Sequence, residues 1–480
     1  MDIFLVVLQA VVVLGAIVMG VRTGGLGLGL WGVVGTAILV FGFRLEPGSP
    51  PVDAFFIIIA VITASSAMQA AGGIDYLVSI ASKIIQRNPR RLTYVAPLVA
   101  FVFTVLSGTS NIFFALIPVI NETAYRNGQR PERALASSTV TSGLGITASP
   151  VSAAMAAYLV LMDGTGYGLP QILAITIPAA VVACLATSFV QQRIGKDLLD
   201  DPEFLKRVKA GTVEVPAALQ AKYEARFGGD GTTTTATATA VADASAGKGR
   251  KAEPVTIEHK VPPGGQTAAL IFIAGTLLVV ALGLFPSLRP AFPDADGELV
   301  PIGMSPVIEM VMFTVALVII LVRRIKPSLV VEQSLLRSGF VAAVALFGIA
   351  WMADTFIDAN QETIIEPLGQ LIEQQPLWLA VALFLVAGLT TSQSATTNTL
   401  IPIALASGLA PGVITAMWPS LIGVWLFPAN GSQIASVETD LTGSTKLTQV
   451  PIWHSFTIPM LVSWVAVVAA GLLIQLVIPA

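Results

Sequence analysis

The chain has 480 residues, of which 54% are hydrophobic and only 11% are charged, and its formal net charge is −3. Because an ordinary soluble domain is about a quarter charged, this composition excludes that class and is typical of a helical membrane protein. It has no basic patch with interleaved aromatic residues, which argues against a nucleic-acid partner, and its single cysteine, Cys184, forms no disulfide within the chain.

Apolar runs long enough to cross about 30 Å of hydrocarbon begin near the N-terminus. The first run, residues 3–21, lacks a basic leader and a cleavage site, so we interpret it as a retained span rather than a signal peptide. The predicted spans are residues 3–21, 24–43, 54–72, 134–161, 170–192, 267–286, 305–323, 335–357, 411–437 and 452–478.

Two further pairs of apolar segments are too short to cross, and each pair flanks a polar break. Residues 92–106 and 112–125 surround Ser107–Asn111, and each would reach only about 22 Å as a helix. The segments on either side of Thr390–Asn398 are shorter still. We therefore predict two re-entrant hairpins, at about residues 92–125 and 377–409.

About forty residues after each hairpin break, the chain breaks again inside a predicted span. Ser149-Pro150-Val151-Ser152 interrupts residues 134–161, and Pro428-Ala429-Asn430-Gly431-Ser432-Gln433 interrupts residues 411–437. Non-helical backbone at membrane depth is tolerated only where protein buries it or where it lines a watery cavity. Four breaks in two matching pairs are typical of a carrier with a central site.

The pattern predicts an all-α polytopic membrane protein with two repeats, residues 1–192 and 267–480, each with five transmembrane helices and one re-entrant hairpin. An odd number of spans inverts the second repeat relative to the first. Residues 193–266 read as a partly disordered linker, to which we assign no chemistry. All basic residues except Arg44 and Arg289 fall on one side of this topology, which is therefore cytoplasmic together with the linker. Both termini are expected outside the cytoplasm.

The breaks offer hydroxyls, amides and helix N-termini but no Lys or Arg, so a bound anion would depend on helix ends and neutral donors. Two related sets of donors suit a ligand with an acid group at each end. Taken singly, a membrane Ser or Thr more often bonds the carbonyl one turn back. The predicted substrate-binding residues are Ser107, Gly108, Thr109, Ser110, Asn111, Ser149, Pro150, Ser152, Thr391, Ser392, Gln393, Ser394, Thr397, Asn398, Pro428, Asn430, Ser432 and Gln433.

Three titratable residues are candidates for proton coupling. Glu309 and Asp354 are the acids nearest the hydrocarbon, although a solvated interfacial carboxylate is the favoured interpretation of each. His454 opens the last predicted span, where a packing or hydrogen-bonding role is favoured over coupling. A rival interpretation is an intramembrane serine protease with Ser110 as nucleophile and His454 as base, but such an enzyme needs only one such turn. A channel is a second rival, which saturable counterflow would argue against.

Several longer motifs make the chain resemble the anaerobic C4-dicarboxylate transporter family. The resemblance covers both membrane halves. The motifs that carry it include Arg22-Thr23-Gly24-Gly25, Gln69-Ala70-x-Gly72-Gly73-Ile74-Asp75, Arg87-Asn88-Pro89, Arg130-Pro131-Glu132-Arg133, Ala148-Ser149-Pro150-Val151-Ser152, Gly195-Lys196-Asp197-Leu198, Gly348-Ile349-Ala350-Trp351-Met352-Ala353, Ser392-Gln393 and His454-Ser455-Phe456.

The resemblance implies a bacterial inner-membrane carrier that exchanges fumarate, succinate, malate or aspartate as a transport domain slides against a scaffold. It implies no enzymatic activity and no cofactor, and by analogy a homodimer. A sodium- or proton-coupled symporter is the alternative, with a sodium site near Asn111 or Asn398. Residues 428–433 depart from the family, whose members carry an acid in that run.

Overall fold

The computed structural model describes residues 3–23, 26–110, 112–227, 262–293, 298–360, 375–427, 430–448 and 452–478. Two predicted site residues, Asn111 and Pro428, therefore lie outside the described residues. So does the low-complexity segment 228–250 of the linker.

The first half of the chain is helical throughout, and its helices end where glycine, proline or polar clusters interrupt the apolar runs. A π-helical turn, Ile38–Gly42, prolongs the second helix. The helices are α1 Ile3–Thr23, α2 Gly27–Ala37, α3 Val52–Ala70, α4 Gly73–Arg87, α5 Leu92–Ser107, α6 Ile112–Arg126, α7 Pro131–Thr147, α8 Ala153–Leu161, α9 Leu169–Gln191, and in the linker α10 Pro202–Lys209 and α11 Ala217–Phe227.

The described part of the second half is also mainly helical and contains a short antiparallel pair of strands, β1 Ala291–Pro293 and β2 Leu299–Pro301. A 3-10 segment, Trp418–Trp425, follows α18 without a break. The helices are α12 Gly265–Leu284, α13 Met304–Arg323, α14 Pro327–Val331, α15 Ser334–Ala359, α16 Leu377–Thr390, α17 Gln393–Ala406, α18 Pro411–Met417, α19 Gly431–Thr439 and α20 Thr457–Ile474.

Within the described ranges, six helices are long and apolar enough to cross a membrane. One of them is Pro89–Ser107, so the structure does not bear out the prediction that residues 92–106 are too short to cross: the 3-10 turn Pro89–Arg91 lengthens α5. The pair α3 and α4 would add a seventh, but it bends by 73° at Gly72, which adopts a left-handed conformation with φ +76°. Three shorter apolar stretches fall below this length criterion, namely Phe4–Gly20 within α1, Gly29–Gly42 in α2 with its π-helical turn, and Leu377–Thr390, which is α16. The structure is thus that of a multi-pass membrane protein, while the count of five spans per half stays a prediction.

The membrane helices pack in two groups. The framework group consists of α1, α2, α3, α12, α13 and α15, which contact one another in the pairs α1/α2, α2/α15, α3/α15, α3/α13 and α12/α13. The hairpin group consists of α5–α9 and α16–α20 with the 3-10 segment. The groups meet where α15 contacts α17 and α8, where α3 contacts α8 and where α12 contacts α9, and α4 lies between α12 and the first hairpin. Two broken elements of the hairpin group therefore lie against unbroken helices of the framework.

Glycine permits the closest contact inside the framework group. A Cβ built on Gly348 of α15 would lie 1.9 Å from the carbonyl oxygen of Gly29 in α2, and a Cβ on Gly32 would lie 2.4 Å from the Gly348 carbonyl carbon. Small residues at such a crossing let two membrane helices pack backbone to backbone. Any side chain here would push α2 and α15 apart.

The first part of the linker is folded against the membrane helices. Leu198, Phe204 and Val213 form a small apolar core around α10, against which Tyr125 of α6 packs. Asp201 caps the N-terminus of α10 by accepting hydrogen bonds from the N–H groups of Glu203 and Phe204. Residues 197–227 thus form a small folded unit that packs against α6.

A buried ionic cluster joins this linker to both halves of the chain. Arg130, 6% exposed, donates to Glu132 at 2.5 Å and to Asp201, and it reaches the carbonyl oxygen of Ser444. Glu132 in turn accepts from Ser455 at 2.5 Å. Burial raises the pKa of Asp201, but hydrogen bonds from Arg130 and from backbone N–H groups lower it by more than burial raises it. The pKa of Asp201 therefore lies below its ordinary value.

Candidate functional site

The first hairpin turns at the polar break between α5 and α6. Gly108 caps α5 in a left-handed conformation with φ +71°, and its N–H donates to Thr104. The hydroxyl of Ser107 donates to the carbonyl oxygen of Thr109 at 3.0 Å, which tightens the turn. The carbonyl oxygen of Ser110 then accepts the N–H of Phe113 at 3.0 Å as α6 begins.

The second hairpin turns in a related way between α16 and α17. Thr391 takes the left-handed conformation with φ 52°, which is uncommon for a residue with a β-branched side chain. Ser392 caps α17 by accepting the N–H of Ala395 at 3.2 Å. The hydroxyls of Thr390 and Thr396 bond each other at 2.9 Å across the turn. Strain of this kind at a non-glycine residue clusters at functional sites.

The break between α7 and α8 is fixed by two buried hydroxyls. Ser149 donates to the carbonyl oxygen of Val105 in the first hairpin at 2.7 Å. Ser152 donates to the carbonyl oxygen of Ile146 at 2.7 Å and accepts the N–H of Met155 as the cap of α8. These two side chains, with the buried Pro150 between them, hold the break in shape and tie it to the hairpin.

The break before α19 is fixed by a capping box. The side chain of Asn430 accepts the N–H of Ser432 at 3.2 Å, and the side chain of Gln433 accepts the N–H of Asn430 at 3.3 Å. The Gln433 amide also donates to the carbonyl oxygen of Trp425 at 2.9 Å, so the start of α19 is bound to the end of the 3-10 segment.

These four breaks surround one cavity of about 300 Å³. Both hairpin tips reach it, as do the first turn of α8 and the cap of α19, while α3 and α15 of the framework group close its other side. The predicted site residues on its wall are Gly108, Thr109, Ser110, Thr391, Ser392, Gln393, Ser394 and Asn430.

The other described members of the predicted set lie behind this wall. All are buried, and the side chains of Ser107, Ser149, Ser152, Thr397, Ser432 and Gln433 form hydrogen bonds to the loops and helices that shape the breaks. Thr397, for example, donates to the carbonyl oxygen of Gln393 and accepts the indole N–H of Trp418 at 2.9 Å. These residues are Ser107, Ser149, Pro150, Ser152, Thr397, Asn398, Ser432 and Gln433.

The described cavity wall combines polar and apolar side chains and carries no charged one. None of the described lining residues is Asp, Glu, Lys, Arg or His. The N-terminal ends of α6, α8, α17 and α19 come to this region, each with its first turn following one of the breaks. Because each helix N-terminus offers unpaired N–H groups and about half a positive charge, the arrangement favours an anion.

Sequence analysis missed several residues on this wall. Ser65 lies in the middle of α3, and Trp425 and Gly143 lie next to Gln393. The doublet Ser65-Ser66 inside an apolar span was a signal for the first. No local pattern marks Gly143 or Trp425, because their place on the wall depends on how α7 and the 3-10 segment pack.

The three titratable candidates do not line the cavity. Asp354 accepts the N–H of Ser49 at 2.6 Å, beside Thr355, which accepts the N–H of Gly48, so it fastens the loop before α3 onto α15. Glu309 is half-buried in the second turn of α13. Neither acid is on the described wall of the central cavity.

Both ring nitrogens of His454 face backbone groups. The N–H of Phe456 donates to Nδ1 at 3.2 Å, which makes Nδ1 an acceptor, and Nε2 lies 3.2 Å from the carbonyl oxygen of Leu426 and must be the donor. The neutral imidazole therefore connects the start of α20 to the backbone just before the break that precedes α19. This geometry does not offer His454 to Ser110 as the base of a protease.

Comparisons with known proteins place the chain among transporters. The family described as "Anaerobic c4-dicarboxylate membrane transporter" matches residues 5–478. The anaerobic C4-dicarboxylate transporter DcuB of Escherichia coli O6:H1 is 35% identical over 460 residues, 95% of each chain. The C4-dicarboxylate transporter DcuA of Wolinella succinogenes is 32% identical, over 98% of this chain and 99% of that one.

Among solved structures, MtrF of Neisseria gonorrhoeae, which is described with a class of antimetabolite efflux pumps, has a similar fold. Its TM-score is 0.50, with 12% sequence identity over 93% of this chain and 92% of that chain. At this identity the likeness concerns the fold alone.

Proposed function

The chain belongs to the anaerobic C4-dicarboxylate transporter family, as its motifs predict, and from that premise we propose that it exchanges C4-dicarboxylates across the bacterial inner membrane. The substrates proposed are fumarate, succinate, malate and aspartate. Both termini would lie outside the cytoplasm and residues 193–266 inside it, and the protein would work as a homodimer.

The observation that supports this proposal most strongly is the single cavity to which all four breaks contribute. Gly108 to Ser110 come from the first half, and Thr391 to Ser394 and Asn430 come from the second half. A dianion with a carboxylate at each end matches two sets of donors that face one space. Neutral donors also suit a carrier, because a substrate held by Lys or Arg ion pairs would be released slowly.

Residues take distinct roles in this proposal. The hydroxyls of Thr109, Ser110 and Ser394 and the amide of Asn430 bond the carboxylates directly, together with free N–H groups of the adjoining helix ends. The buried residues behind the wall position those groups: Ser149 and Ser152 hold the break between α7 and α8, and Gln433 holds the break before α19. Loss of a positioning residue would weaken binding of all diacids alike.

The packing also favours an elevator-like mechanism built on two inverted repeats. In each half, a helix–break–helix hairpin is followed by a helix with its own break, and these elements form the hairpin group. The cavity lies between this group and α3 and α15 of the framework group. We propose that the hairpin group slides along the framework and carries the bound diacid from one side of the membrane to the other.

Counterflow in proteoliposomes tests this function. Vesicles loaded with unlabelled succinate should accumulate labelled succinate transiently, and external fumarate, malate or aspartate should inhibit this uptake, whereas acetate should not. The same uptake measured with and without a sodium gradient or a pH gradient separates antiport from coupled symport. Equal inhibition by monocarboxylates would refute the substrate class, and uptake that does not saturate would favour a channel.

A further inference from the structure

Among the described residues that line the central cavity, two have a buried polar atom for which the described part of the chain offers no hydrogen-bond partner. One of these atoms is the indole nitrogen Nε1 of Trp425, a donor, and the other is the amide oxygen Oε1 of Gln393, an acceptor. Both residues line the cavity. A buried donor or acceptor left unpaired carries a desolvation cost, so a native protein that keeps two of them side by side calls for an explanation.

Both groups are held in place by their own backbone or amide contacts. The Gln393 Nε2 donates to the carbonyl oxygen of Gly143 at 3.0 Å, which fixes Oε1 as the free atom of that amide. The carbonyl oxygen of Trp425 is bonded by Gln433. By contrast, the nearby Trp418 donates its indole N–H to Thr397. Trp425 is therefore held in place by its backbone, while its indole N–H has no acceptor among the described residues.

Gly143 brings the two groups together. A Cβ built on this residue would lie 2.9 Å from the Nε1 of Trp425 and 3.4 Å from the Nε2 of Gln393. Because Gly143 has no side chain, the indole of Trp425 and the amide of Gln393 can both lie against α7 at this point, beside the cavity. A donor and an acceptor so placed complement a ligand group that itself carries both an acceptor and a donor.

Carboxylates supply only acceptors, so succinate and fumarate could satisfy Trp425 but would leave Gln393 Oε1 unpaired. A diacid with a hydroxyl or an ammonium on the carbon next to one carboxylate offers both functions within one end of the molecule. We propose that Trp425 and Gln393 together determine specificity, because they favour diacids that carry this substituent over diacids that lack it. Trp425 donates to the carboxylate, and Gln393 accepts the adjacent O–H or N–H.

This inference rests on the proposed function and names 2-hydroxy and 2-amino C4-diacids, such as malate and aspartate, as the preferred members of its substrate class. Satisfying one buried acceptor that the unsubstituted diacid leaves unpaired corresponds to a preference of about fivefold to 100-fold. The competing explanation is that the two side chains bond each other when the site closes. In that case their removal would weaken every diacid by the same factor.

The test measures inhibition constants of malate, aspartate and succinate against labelled succinate counterflow in proteoliposomes. Wild-type protein should bind malate or aspartate at least about fivefold more tightly than succinate. In the variant Gln393→Met this ratio should fall to near 1. In Trp425→Phe all three diacids should weaken, because the carboxylate donor is lost.

Trp464→Phe is the matched control, since its indole nitrogen is also buried without a partner but Trp464 stacks on Phe384 in α16 and is absent from the cavity wall. It should leave the constants unchanged. An unaltered malate-to-succinate ratio in Gln393→Met, or a wild-type ratio near 1, would overturn the inference while diacid counterflow persisted. Failure of every diacid to compete would instead overturn the proposed function.

Discussion

Replacing Gly108 by alanine tests whether the first hairpin tip must pack against the break before α8. The residue has φ +71°, and a Cβ there would lie 2.4 Å from the carbonyl oxygen of Val151 and 3.0 Å from its carbonyl carbon. The left-handed backbone costs a non-glycine residue about 1–2 kcal/mol. Because the obstacle is backbone, relief of the overlap needs movement of the tip, at about 1–3 kcal/mol more. We expect a loss of about 2–5 kcal/mol in local stability.

The assay compares Gly108→Ala with Gly164→Ala. Gly164 has nearly the same φ, +74°, but its Cβ would meet nothing within 4 Å, so it carries the backbone cost alone. Thermal unfolding in detergent and succinate counterflow would be measured for both variants. Gly108→Ala should unfold at a clearly lower temperature and lose most of its transport, whereas Gly164→Ala should keep it. Equal behaviour of the two variants would refute the packing of the hairpin tip described above.

The remaining predictions concern the cavity wall and the linker. In Gly143→Ala, the higher helix propensity of alanine favours α7 by up to about 1 kcal/mol. Counterflow should nevertheless fall more than tenfold, because the new Cβ enters the space beside Trp425. Normal transport by this variant would contradict the proposed site. Arg130→Gln should lower the stability of the docked linker by about 3–5 kcal/mol and expose the linker helices to trypsin, because it leaves buried carboxylates unpaired. Arg226→Gln is the control and should change little, because the ion pair of Arg226 with Asp200 is about half exposed. Because the pKa of Asp201 is lower in the folded state, its contribution to linker docking is present above the unfolded value of about 3.9 and is lost as the pH falls through the folded value. The protection factors of amide hydrogen exchange in the linker helices, which are corrected for the intrinsic effect of pH on exchange, should thus be the same at pH 7 and pH 5 and fall only in stronger acid; a fall between pH 7 and pH 5 would contradict the assignment.

Hydropathy and helix-breaking residues were sufficient to predict a helical membrane protein, and longer motifs were sufficient to predict its family. Ends of helices such as Ser107 and Thr390 follow from local rules, since glycine and small polar residues stop an apolar helix without help from distant contacts. The inverted arrangement, the number of spans and the orientation stay predictions.

Contacts between distant segments could not be predicted. Asp354 stood out as an acid near the hydrocarbon, but its partner is a backbone N–H about 300 residues earlier in the chain. The linker appeared to be a tether because its helices are short and polar, yet Arg130 joins it to segments of both halves. In the same way, Trp425 looks like one apolar residue among many until the packing places its N–H beside Gln393.

Protection of thiols by substrate shows whether one diacid occupies a cavity built by both halves of the chain. Cys184 is the only cysteine and is fully buried in α9, so a Cys184→Ser background allows single substitutions Ser110→Cys and Ser394→Cys. Succinate or malate should slow the reaction of a thiol reagent at both positions at the same concentration, and acetate should slow neither. Protection at only one of the two positions, or equal protection by acetate, would contradict the account.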